Sequence, residues 1–459
     1  MHKKAIFIFR RDLRLHDNTA LIQALNNAKM VIPCFVFDPR QIGKENAYAS
    51  NNCIQFMIES LQDLEIQLHK KKAKLYLFYG ESEKIIEKII KQEKADAVYV
   101  NRDYTPFSIQ RDAALEKIAE KNNAIFFSCD DLLLNKPENI ATTTGKPYSV
   151  FTAFYKRSKQ EPIFKPIDCV HKNFYSDPIK GEESDKIFKK ILKSENKLIH
   201  VRGGRANALN LLKNLKSLND YKKTRDYPAM RTSNLSAHHK FGTISIRESF
   251  FAIRQTLGNN HLLLQQLYWR DFFTYVAFYS PFVFGLPFHE KYTKLPWNKS
   301  TKDFKAWCEG KTGFPIVDAG MRQLNETGYM HNRVRMIVAS FLTKDLHINW
   351  LWGEKYFAQQ LVDYDPCVNN GNWQWAASTG CDAQPYFRIF NPWLQQKKFD
   401  NECEYIKRWV PELKTTDPKI IHTWYKQNSP AIKNYPRPMV DHKIESKKAK
   451  EAYKKASRG

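Results

Sequence analysis

The segment from Asn369 to Gly380 carries a high density of amide and indole side chains. Asn369, Asn370, Asn372 and Gln374 supply the amides, and Trp373 and Trp375 lie two residues apart. Amides around a glycine are unfavourable in the core of a helix, so one interpretation is a capped turn that packs two aromatic rings. The alternative is a site that binds a flat ring system and offers hydrogen bonds to its edge.

Charged side chains upstream predict a cluster close to this segment. Asp363 and Asp365 lie two residues apart, and two carboxylates this close repel unless a cation or a donor-rich ligand is near. An arginine in the stretch Tyr329–Met336, which holds Arg333 and Arg335, is either a surface residue or the partner of such an aspartate beneath a ligand. In the same stretch Asn332 and Met336 are four residues apart, which places them on one face of a helix.

Two further segments have the residue types to hold a nucleotide. The hydroxyl-rich run Thr232–Ser236 supplies helix N-cap acceptors by default, but hydroxyls and free backbone N–H groups also bind phosphate. Gln266, Trp269 and Phe273 fall on one helical stripe. A core stripe is the default interpretation, while Gln and Trp together can also hydrogen-bond and stack on a base.

The first part of the chain, residues 1–130, is predicted to form an α/β domain. Its apolar runs are Ala5–Phe9, Val31–Phe37, Lys74–Tyr79, Ala97–Val100 and Ala124–Ser128. Amphipathic stretches such as Asn52–Leu68 and Ser82–Gln92 lie between them, which predicts a doubly wound parallel sheet with helices on both faces. No GxGxxG motif follows the first run, so a nucleotide-dependent dehydrogenase is disfavoured.

Residues 131–200 are rich in Lys, Pro, Ser and Asp and are expected to form a linker, with short helices at most. From residue 201 to 459 the periodicity is helical, which predicts an all-α domain. The predicted helices are Ala208–Leu215, Ser245–Thr256, Leu262–Tyr279, Ser300–Cys308, Pro315–Leu324, Asn332–Leu346 and Tyr356–Leu361.

The overall charge points to a polyanionic partner. The formal net charge is +25, which attracts nucleic acid first and an anionic membrane second, although a lysine-rich composition alone is the other explanation. No run reaches the length of a membrane helix and no signal peptide is recognised at the start. The eight cysteines show no CxxC or metal-ligand spacing, so we expect no metal site and reduced thiols in an intracellular, cytoplasmic protein.

Several long motifs in one order resemble the photolyase/cryptochrome family over essentially the whole chain. They are FRRDLRLHDN, TSNLS, WRDFF, GKTGFPIVDAGMRQL, MHNRVRM and NNGNWQWAASTGCDAQPYFRIFNP. The closest likeness is to class I cyclobutane pyrimidine dimer photolyases. This resemblance implies an α/β antenna domain, a linker and a helical domain that binds FAD.

By motif position, the resemblance implies a set of cofactor-binding residues: Tyr221, Thr232, Ser233, Asn234, Leu235, Ser236, Arg335, Asp363, Tyr364, Asp365 and Asn369. Arg335 would pair with Asp363, and Asn369 would face the reactive ring nitrogen of the flavin. The resemblance also implies a row of electron-transfer indoles, with Trp373 nearest the flavin, Trp350 in the middle and Trp297 at the surface. Trp352 is an additional indole nearby without an assigned role.

The activity implied is light-driven DNA repair. Damaged DNA binds to the basic face, the dimer flips into a pocket, and excited reduced FAD donates the electron that splits the cyclobutane ring. Residues implied to contact the dimer or the DNA are Arg225, Gln266, Trp269, Asn332, Arg333, Met336, Trp375 and Gln395. Trp269 and Trp375 would wedge or stack against the dimer.

One position departs from the class I pattern. Gln266 stands where class I dimer photolyases carry Glu, whereas (6-4) photolyases and animal-type cryptochromes carry Gln there. The (6-4) enzymes also place two His in the segment that here holds Asn332 and Met336. The missing proton-donating His favours cyclobutane dimer repair and leaves (6-4) repair as an alternative.

The second chromophore and the rival function stay open in the sequence. Phe107 and Ser108 stand where folate-binding relatives carry an Asn-Glu pair, and the segment NRDYTPF resembles deazaflavin-type members, so a deazaflavin antenna is favoured over a folate. Another flavin or an empty site are the remaining options. A cryptochrome-type blue-light receptor is the rival function, and we expect a monomer.

Overall fold

The computed structural model describes residues 1–183, 186–192, 194–426 and 432–458. Its first part holds one five-stranded parallel sheet in the order β3-β2-β1-β4-β5. The strands are β1 His2–Phe9, β2 Ala28–Phe37, β3 Tyr76–Tyr79, β4 Ala97–Asn101 and β5 Ile125–Cys129. The helices of this part are α1 Thr19–Asn27, α2 Pro39–Ile42, α3 Asn51–His69, α4 Ser82–Glu93 and α5 Pro106–Lys121. Each predicted strand is present with shifted ends.

Both faces of the sheet are covered, as the alternation of strand and helix signals predicted. Phe7 and Phe9 of β1 enter a core that includes side chains of α1 and α3. Ile6 and Ile8 point to the opposite face, into a core shared with α4 and α5. Because successive side chains of a strand alternate in direction, apolar residues at every position bury both faces. The doubly wound architecture is therefore confirmed.

The loop after β1 connects the sheet to the helical part of the chain. β1 lies between β2 and β4, so the strand order reverses at the carboxyl ends of β1 and β4. In this loop the Leu13 N–H donates to the carbonyl of Phe241 at 3.0 Å. Arg14 and Arg247, from opposite parts of the chain, both bind the carboxylate of Asp131, at 2.6 and 2.8 Å.

The predicted linker carries two helices, α6 Phe151–Ser158 and α7 Lys186–Ile191. Residues 184, 185 and 193 of this stretch lie outside the described residues. Phe151 and Phe154 of α6 are buried in the same core as Phe272 of the helical part. The division at residues 130 and 200 therefore stays a prediction, because side chains from the linker contribute to the core of the next segment.

The remaining chain is helical. Its helices are α8 Arg205–Lys213, α9 Tyr221–Thr224, α10 Ser236–Phe241, α11 Ile246–Leu257, α12 Leu262–Tyr279, α13 Thr301–Cys308, α14 Pro315–Thr327, α15 Asn332–Ser340, α16 Trp350–Gln360, α17 Pro366–Ala377, α18 Pro392–Phe399, α19 Glu404–Trp409, α20 Pro418–His422 and α21 His442–Ala456. The predicted helix over 332–346 divides, since α15 is followed by a π-helical turn, Phe341–Asp345. Helix α16 begins at Trp350, earlier than its apolar periodicity predicted.

The interpretation of residues 369–380 as a turn is wrong, because most of the segment belongs to α17. Asp365 caps this helix and Pro366 occupies its first turn. The amides of Asn370 and Gln374 both donate to the carbonyl of Val283, at 2.9 and 3.2 Å. Tertiary partners for these polar groups remove the cost of placing them in a buried helix. Within the described ranges, no helix is both long and apolar enough to cross a membrane.

Candidate cofactor and substrate site

The helical part encloses a cavity of about 300 Å³, a volume typical of small-molecule sites. Every residue predicted to hold a cofactor lines this cavity: Tyr221, Thr232, Ser233, Asn234, Leu235, Ser236, Arg335, Asp363, Tyr364, Asp365 and Asn369. These residues come from separate segments between positions 221 and 369. The fold brings them together around one cavity, while their contact with a cofactor stays a prediction.

Five of the predicted substrate residues line the same cavity: Arg225, Gln266, Asn332, Met336 and Trp375. Asn332 and Met336 share one face of α15, with Asn332 Nδ2 at 3.7 Å from Met336 Sδ. The other three, Trp269, Arg333 and Gln395, are not among the lining residues. The cavity thus combines the predicted cofactor residues with only part of the predicted substrate set.

Trp269 is occupied by contacts within the protein. Its ring stacks on Phe151 with a centroid separation of 3.5 Å and an interplanar angle of 8°. Phe273 packs at 5.7 Å from the same indole. Phe151 covers one face of the indole while the side chain stays partly exposed, so the stacking of Trp269 on a flipped dimer stays a prediction.

Arg333 and Gln395 lie outside the cavity lining. The Arg333 guanidinium binds Asp226 at 2.7 Å and lies 4.5 Å from the ring centroid of Phe399 on α18. Gln395 also lies on α18, and its Oε1 is buried without a hydrogen-bond partner. Neither side chain lines the cavity. Their predicted contact with DNA would therefore be made from the protein surface around the cavity.

A partly buried ion pair between Arg335 and Asp363 forms one wall of the cavity. Arg335 Nη1 and Nη2 donate to the two carboxylate oxygens of Asp363 at 3.2 and 2.9 Å. Arg335 Nε donates to the carbonyl of Met330 at 2.7 Å, and the hydroxyl of Ser236 donates to Asp363 at 2.6 Å. Burial opposes the charge of Arg335, yet Asp363 raises the pKa of the guanidinium above its ordinary value. The two-pronged pair fixes α15 relative to the segment before α17.

The loop 232–235 places hydroxyl and amide groups at the cavity. Asn234 has a left-handed backbone with φ of 55°, a conformation that Asn tolerates better than most residues. The Thr232 hydroxyl lies 3.2 Å from the Tyr329 hydroxyl, and Arg335 lies 5.3 Å from the Tyr329 ring centroid. The short helix α10 begins at Ser236 without a side-chain cap, so the predicted N-cap role of these hydroxyls is wrong.

The cavity suits FAD in charge and in polarity. Its lining includes the basic side chains of Arg225, Lys240, Arg270 and Arg335 together with three carboxylates. Cations next to hydroxyl groups match a diphosphate, and amide and indole groups match the edge and face of a flavin ring. The polar residues present therefore fit the cofactor that the sequence motifs imply.

Asn369 is held by a neighbouring acid that the sequence did not reveal. Its Nδ2 donates to the main-chain oxygen of Glu354 at 3.0 Å and to Glu354 Oε1 at 3.2 Å. Burial raises the pKa of Glu354 to about 7, and the hydrogen bond from Asn369 offsets part of this effect. Among the described residues, Asn369 Oδ1 has no hydrogen-bond partner, and it belongs to a side chain that lines the cavity. The amide can thus accept a hydrogen bond from a ring N–H.

The three predicted relay indoles lie on separate elements at different depths. Trp373 lines the cavity, Trp350 is buried in the same apolar core, and Trp297 is half-buried at the edge of that core. A Cβ on Gly353 would come within 2.1 Å of Trp373 Cη2. The glycine of α16 is therefore required for the indole of α17 to pack as it does.

Sequence reasoning missed several residues around the cavity. They are His239, Lys240, Arg270, Tyr329 and Glu354, together with the fully buried Trp307, whose ring centroid lies 6.2 Å from that of Trp373. Arg270 stands inside the quoted motif WRDFF and Tyr329 directly precedes MHNRVRM, which were usable signals. Glu354 and Trp307 had no such signal, because helical periodicity alone assigns them to a core.

Two family profiles match the chain. One is described as DNA photolyase and matches residues 5–171, and the other as FAD binding domain of DNA photolyase and matches residues 263–455. A deoxyribodipyrimidine photo-lyase from Alkalihalophilus pseudofirmus is 36% identical, over 98% of this chain and 98% of its own. The chain belongs to the DNA photolyase family. The predicted family, a group of light-dependent lyases, is confirmed.

Solved structures of photolyase-family members share the fold over the full chain. An archaeal photolyase from Sulfolobus tokodaii, described with two FAD molecules and with the implication of a novel light-harvesting cofactor, is 44% identical with a TM-score of 0.90, covering 98% of this chain and 100% of that one. A class III photolyase from Agrobacterium tumefaciens is 34% identical with a TM-score of 0.91, over 100% and 98%. A cryptochrome from Synechocystis is 29% identical with a TM-score of 0.89, over 98% and 99%.

Proposed function

We propose that this protein repairs cyclobutane pyrimidine dimers in DNA by light-driven electron transfer. The observation that best supports this proposal is one cavity lined both by the predicted flavin-binding residues and by Gln266, Asn332 and Met336. When bound there, reduced FAD supplies, on excitation by light, the electron that splits the cyclobutane ring. The net charge of +25 favours binding to the DNA backbone.

The side chains around the cavity have distinct tasks in this proposal. Asp363, held by Arg335 and Ser236, keeps a negative charge at a fixed position in the wall. Asn369, held by Glu354, presents an acceptor oxygen to the ring edge, and Trp373 passes an electron toward oxidised cofactor. Gln266, Asn332 and Met336 contact the flipped dimer, since they line the same space without contacting the Arg335–Asp363 pair.

Two residues of α15 favour the cyclobutane dimer over the (6-4) product as the lesion that is repaired. Asn332 and Met336 stand where (6-4) photolyases carry His, and neither side chain can donate a proton as an acid. His331, adjacent to this face, is buried, and burial lowers its pKa to about 4, so it is neutral at physiological pH. Cyclobutane splitting requires an electron and no proton donor of this kind, so dimer repair is the better match.

A repair assay tests the proposal. Chemically reduced protein is mixed with an oligonucleotide carrying one thymine dimer and illuminated with blue light, with a dark sample and a (6-4) substrate in parallel. We expect light-dependent loss of the dimer only. Repair of the (6-4) product alone would reassign the lesion, and no repair of either would overturn the photolyase proposal.

A cryptochrome-type photoreceptor is the second candidate, and the likeness to the Synechocystis cryptochrome supports it. The same assay separates the two functions, because a receptor binds flavin and responds to light without restoring the thymines. The expected monomer stays a prediction, which light scattering during size-exclusion chromatography checks.

We propose further that the second chromophore is a flavin-type ring. The Sulfolobus tokodaii photolyase, described with two FAD molecules, supports this choice. A folate fits less well, because Phe107 and Ser108 stand in place of the Asn-Glu pair of folate-binding relatives and already have partners within the protein. The guanidinium carbons of Arg40 and Arg111 lie 5.4 and 5.9 Å from the Phe107 ring centroid, and the hydroxyl of buried Ser108 donates to Asp103. Pigments released by denaturing the purified protein, separated by chromatography, identify the second ring as flavin, deazaflavin, folate or none.

A further inference from the structure

Arg11 belongs to the α/β part of the chain but contacts Lys240 and Asp365, two residues that line the cavity of the helical part. It lies in the loop after β1, at the carboxyl edge of the sheet where the strand order reverses. Its side chain is about 13% exposed, so its charge depends on partners in the protein. It stands in the motif FRRDLRLHDN, which assigned it no role, and its contacts with Lys240 and Asp365 are made more than two hundred residues away in sequence.

The guanidinium of Arg11 joins three separate elements. Nη1 donates to Asp103 Oδ1, after β4, at 3.0 Å, and Nε donates to the carbonyl of Lys240, in α10, at 3.2 Å. Nη2 donates to Asp365 Oδ2. A planar guanidinium can serve three acceptors in fixed directions, which an ammonium group cannot reproduce.

Asp365 transmits this contact to the flavin-facing helix. Its Oδ1 accepts from the N–H groups of Cys367 and Val368 at 3.0 and 3.2 Å, which caps the start of α17. Its main-chain oxygen accepts from the Asn369 N–H at 2.8 Å. One carboxylate oxygen thus orients the helix that carries Asn369 and Trp373, while the other is held by Arg11.

The two parts of the chain meet tightly beside this contact. Gly242, directly after α10, has φ of 61°, and a Cβ there would lie 2.1 Å from the carbonyl oxygen of Arg11. Burial opposes ionisation of Asp365, but Arg11, Lys240 and Arg270 together lower its pKa below the ordinary value. The backbone approach and the buried charges give Arg11 little freedom to move away from Asp365.

We infer that Arg11 is a positioning residue through which the α/β part sets FAD binding in the helical part. This inference rests on the proposed flavin site and adds to it the residue that fixes the Asp365 carboxylate and the start of α17. Light harvesting is not involved. The α/β part would therefore be required for cofactor affinity even in the dark.

The test compares FAD affinity of full-length variants in the dark, by titrating flavin-depleted protein and recording the visible absorption band of the bound cofactor. We expect Arg11→Gln to weaken FAD binding by about tenfold or more, since it leaves Asp365 buried without its cation. Arg11→Lys should restore part of the affinity. The flavin band should shift in Arg11→Gln, because the charge near the ring edge changes.

Arg14→Gln is the matched control. Arg14 lies in the same loop, binds Asp131 at 2.6 Å and donates to the carbonyl of Gly242 at 3.1 Å, but does not contact Asp365. We expect this variant to lower the melting temperature while leaving FAD affinity within about twofold of wild type. Equal losses of affinity in both variants would show general loosening of the interface and overturn the inference.

If Arg11→Gln does not fold, the FAD affinities of two other variants test the inference. Asp103→Asn removes a partner of Arg11 but leaves the contact with Asp365, so it should bind FAD like wild type, whereas Arg11→Lys should bind less tightly. Equal affinities in these two variants would contradict the inference. Because no DNA or light is used, failure of the repair assay would count against the proposed function and not against the role of Arg11.

Discussion

The side-chain amide of Asn369 donates both of its hydrogens to Glu354, at 3.0 Å to the main-chain oxygen and at 3.2 Å to Oε1. Both residues are buried, and they lie on adjacent helices, α17 and α16. Because Glu354 engages the amide nitrogen, the amide oxygen Oδ1 of Asn369 remains available at the cavity. The contact also places a carboxyl group, titrating near neutral pH, one hydrogen bond away from the predicted flavin edge.

Glu354→Gln should change how stability depends on pH. Burial raises the pKa of Glu354 from 4.5 to about 7, so the folded protein keeps a proton that the unfolded chain releases. Stability from this group is complete below pH 4.5 and is lost as pH rises to 7, by at most about 3 kcal/mol. Thermal melts from pH 4.5 to 8 should show a smaller decline for the variant. Parallel curves for both proteins would contradict the assignment.

Arg335→Gln should weaken FAD binding and destabilise the protein. The substitution leaves Asp363 buried without its two-pronged partner, a loss of about 3 kcal/mol. Arg333→Gln on the same helix is the control, because Arg333 binds Asp226 at 2.7 Å and does not line the cavity. Flavin retained through gel filtration measures the difference. Similar flavin retention in the two variants would show that the Arg335–Asp363 pair has no particular role in FAD binding.

Gly353→Ala should disturb electron transfer through Trp373. The new Cβ would lie 2.1 Å from Trp373 Cη2 and 2.6 Å from Leu342 Cδ2, so the indole must shift, at a cost of about 1–3 kcal/mol. We expect slower light-driven reduction of bound oxidised flavin, as in Trp373→Phe. Chemically reduced protein should still repair dimers in both variants.

Gly320→Ala separates this effect from general overpacking. Its Cβ would lie 2.4 Å from Val334 Cγ1, between α14 and α15, away from the indole. It should lower the melting temperature to a comparable extent but leave the rate of photoreduction unchanged. If Gly353→Ala and Gly320→Ala slowed photoreduction equally, the packing of Trp373 would not be the cause.

Gln266→Leu should weaken binding of dimer-containing DNA by about fivefold, the value of one net hydrogen bond of about 1 kcal/mol. Gln395→Leu is the matched change outside the cavity, and any loss of DNA affinity it causes should be equal for damaged and undamaged duplexes. Competition between damaged and undamaged duplexes measures the lesion-specific part. Loss of this lesion-specific part in Gln395→Leu alone would mean that the DNA surface, and not the cavity wall, distinguishes the lesion.

The sequence by itself determined the family, the parallel sheet and most helix positions. Alternating apolar runs and amphipathic stretches report local burial, and the long motifs named the residues that line the cavity. The helix over 369–377 was not predictable in this way, since Asn370 and Gln374 are disfavoured inside a helix until Val283, about ninety residues away in sequence, accepts their hydrogen bonds.

Only the tertiary structure decided which of the implied residues meet. Trp269 matched a substrate motif, but the linker residue Phe151 stacks on its ring. Glu354 lies in no quoted motif and Arg11 was assigned no role within its motif, yet Glu354 holds Asn369 and Arg11 holds Asp365. Sequence patterns record burial and local backbone preference, whereas the partner of a buried polar group is set by packing between distant elements. The residues that line the cavity were therefore readable from the sequence, and the groups that orient them were not.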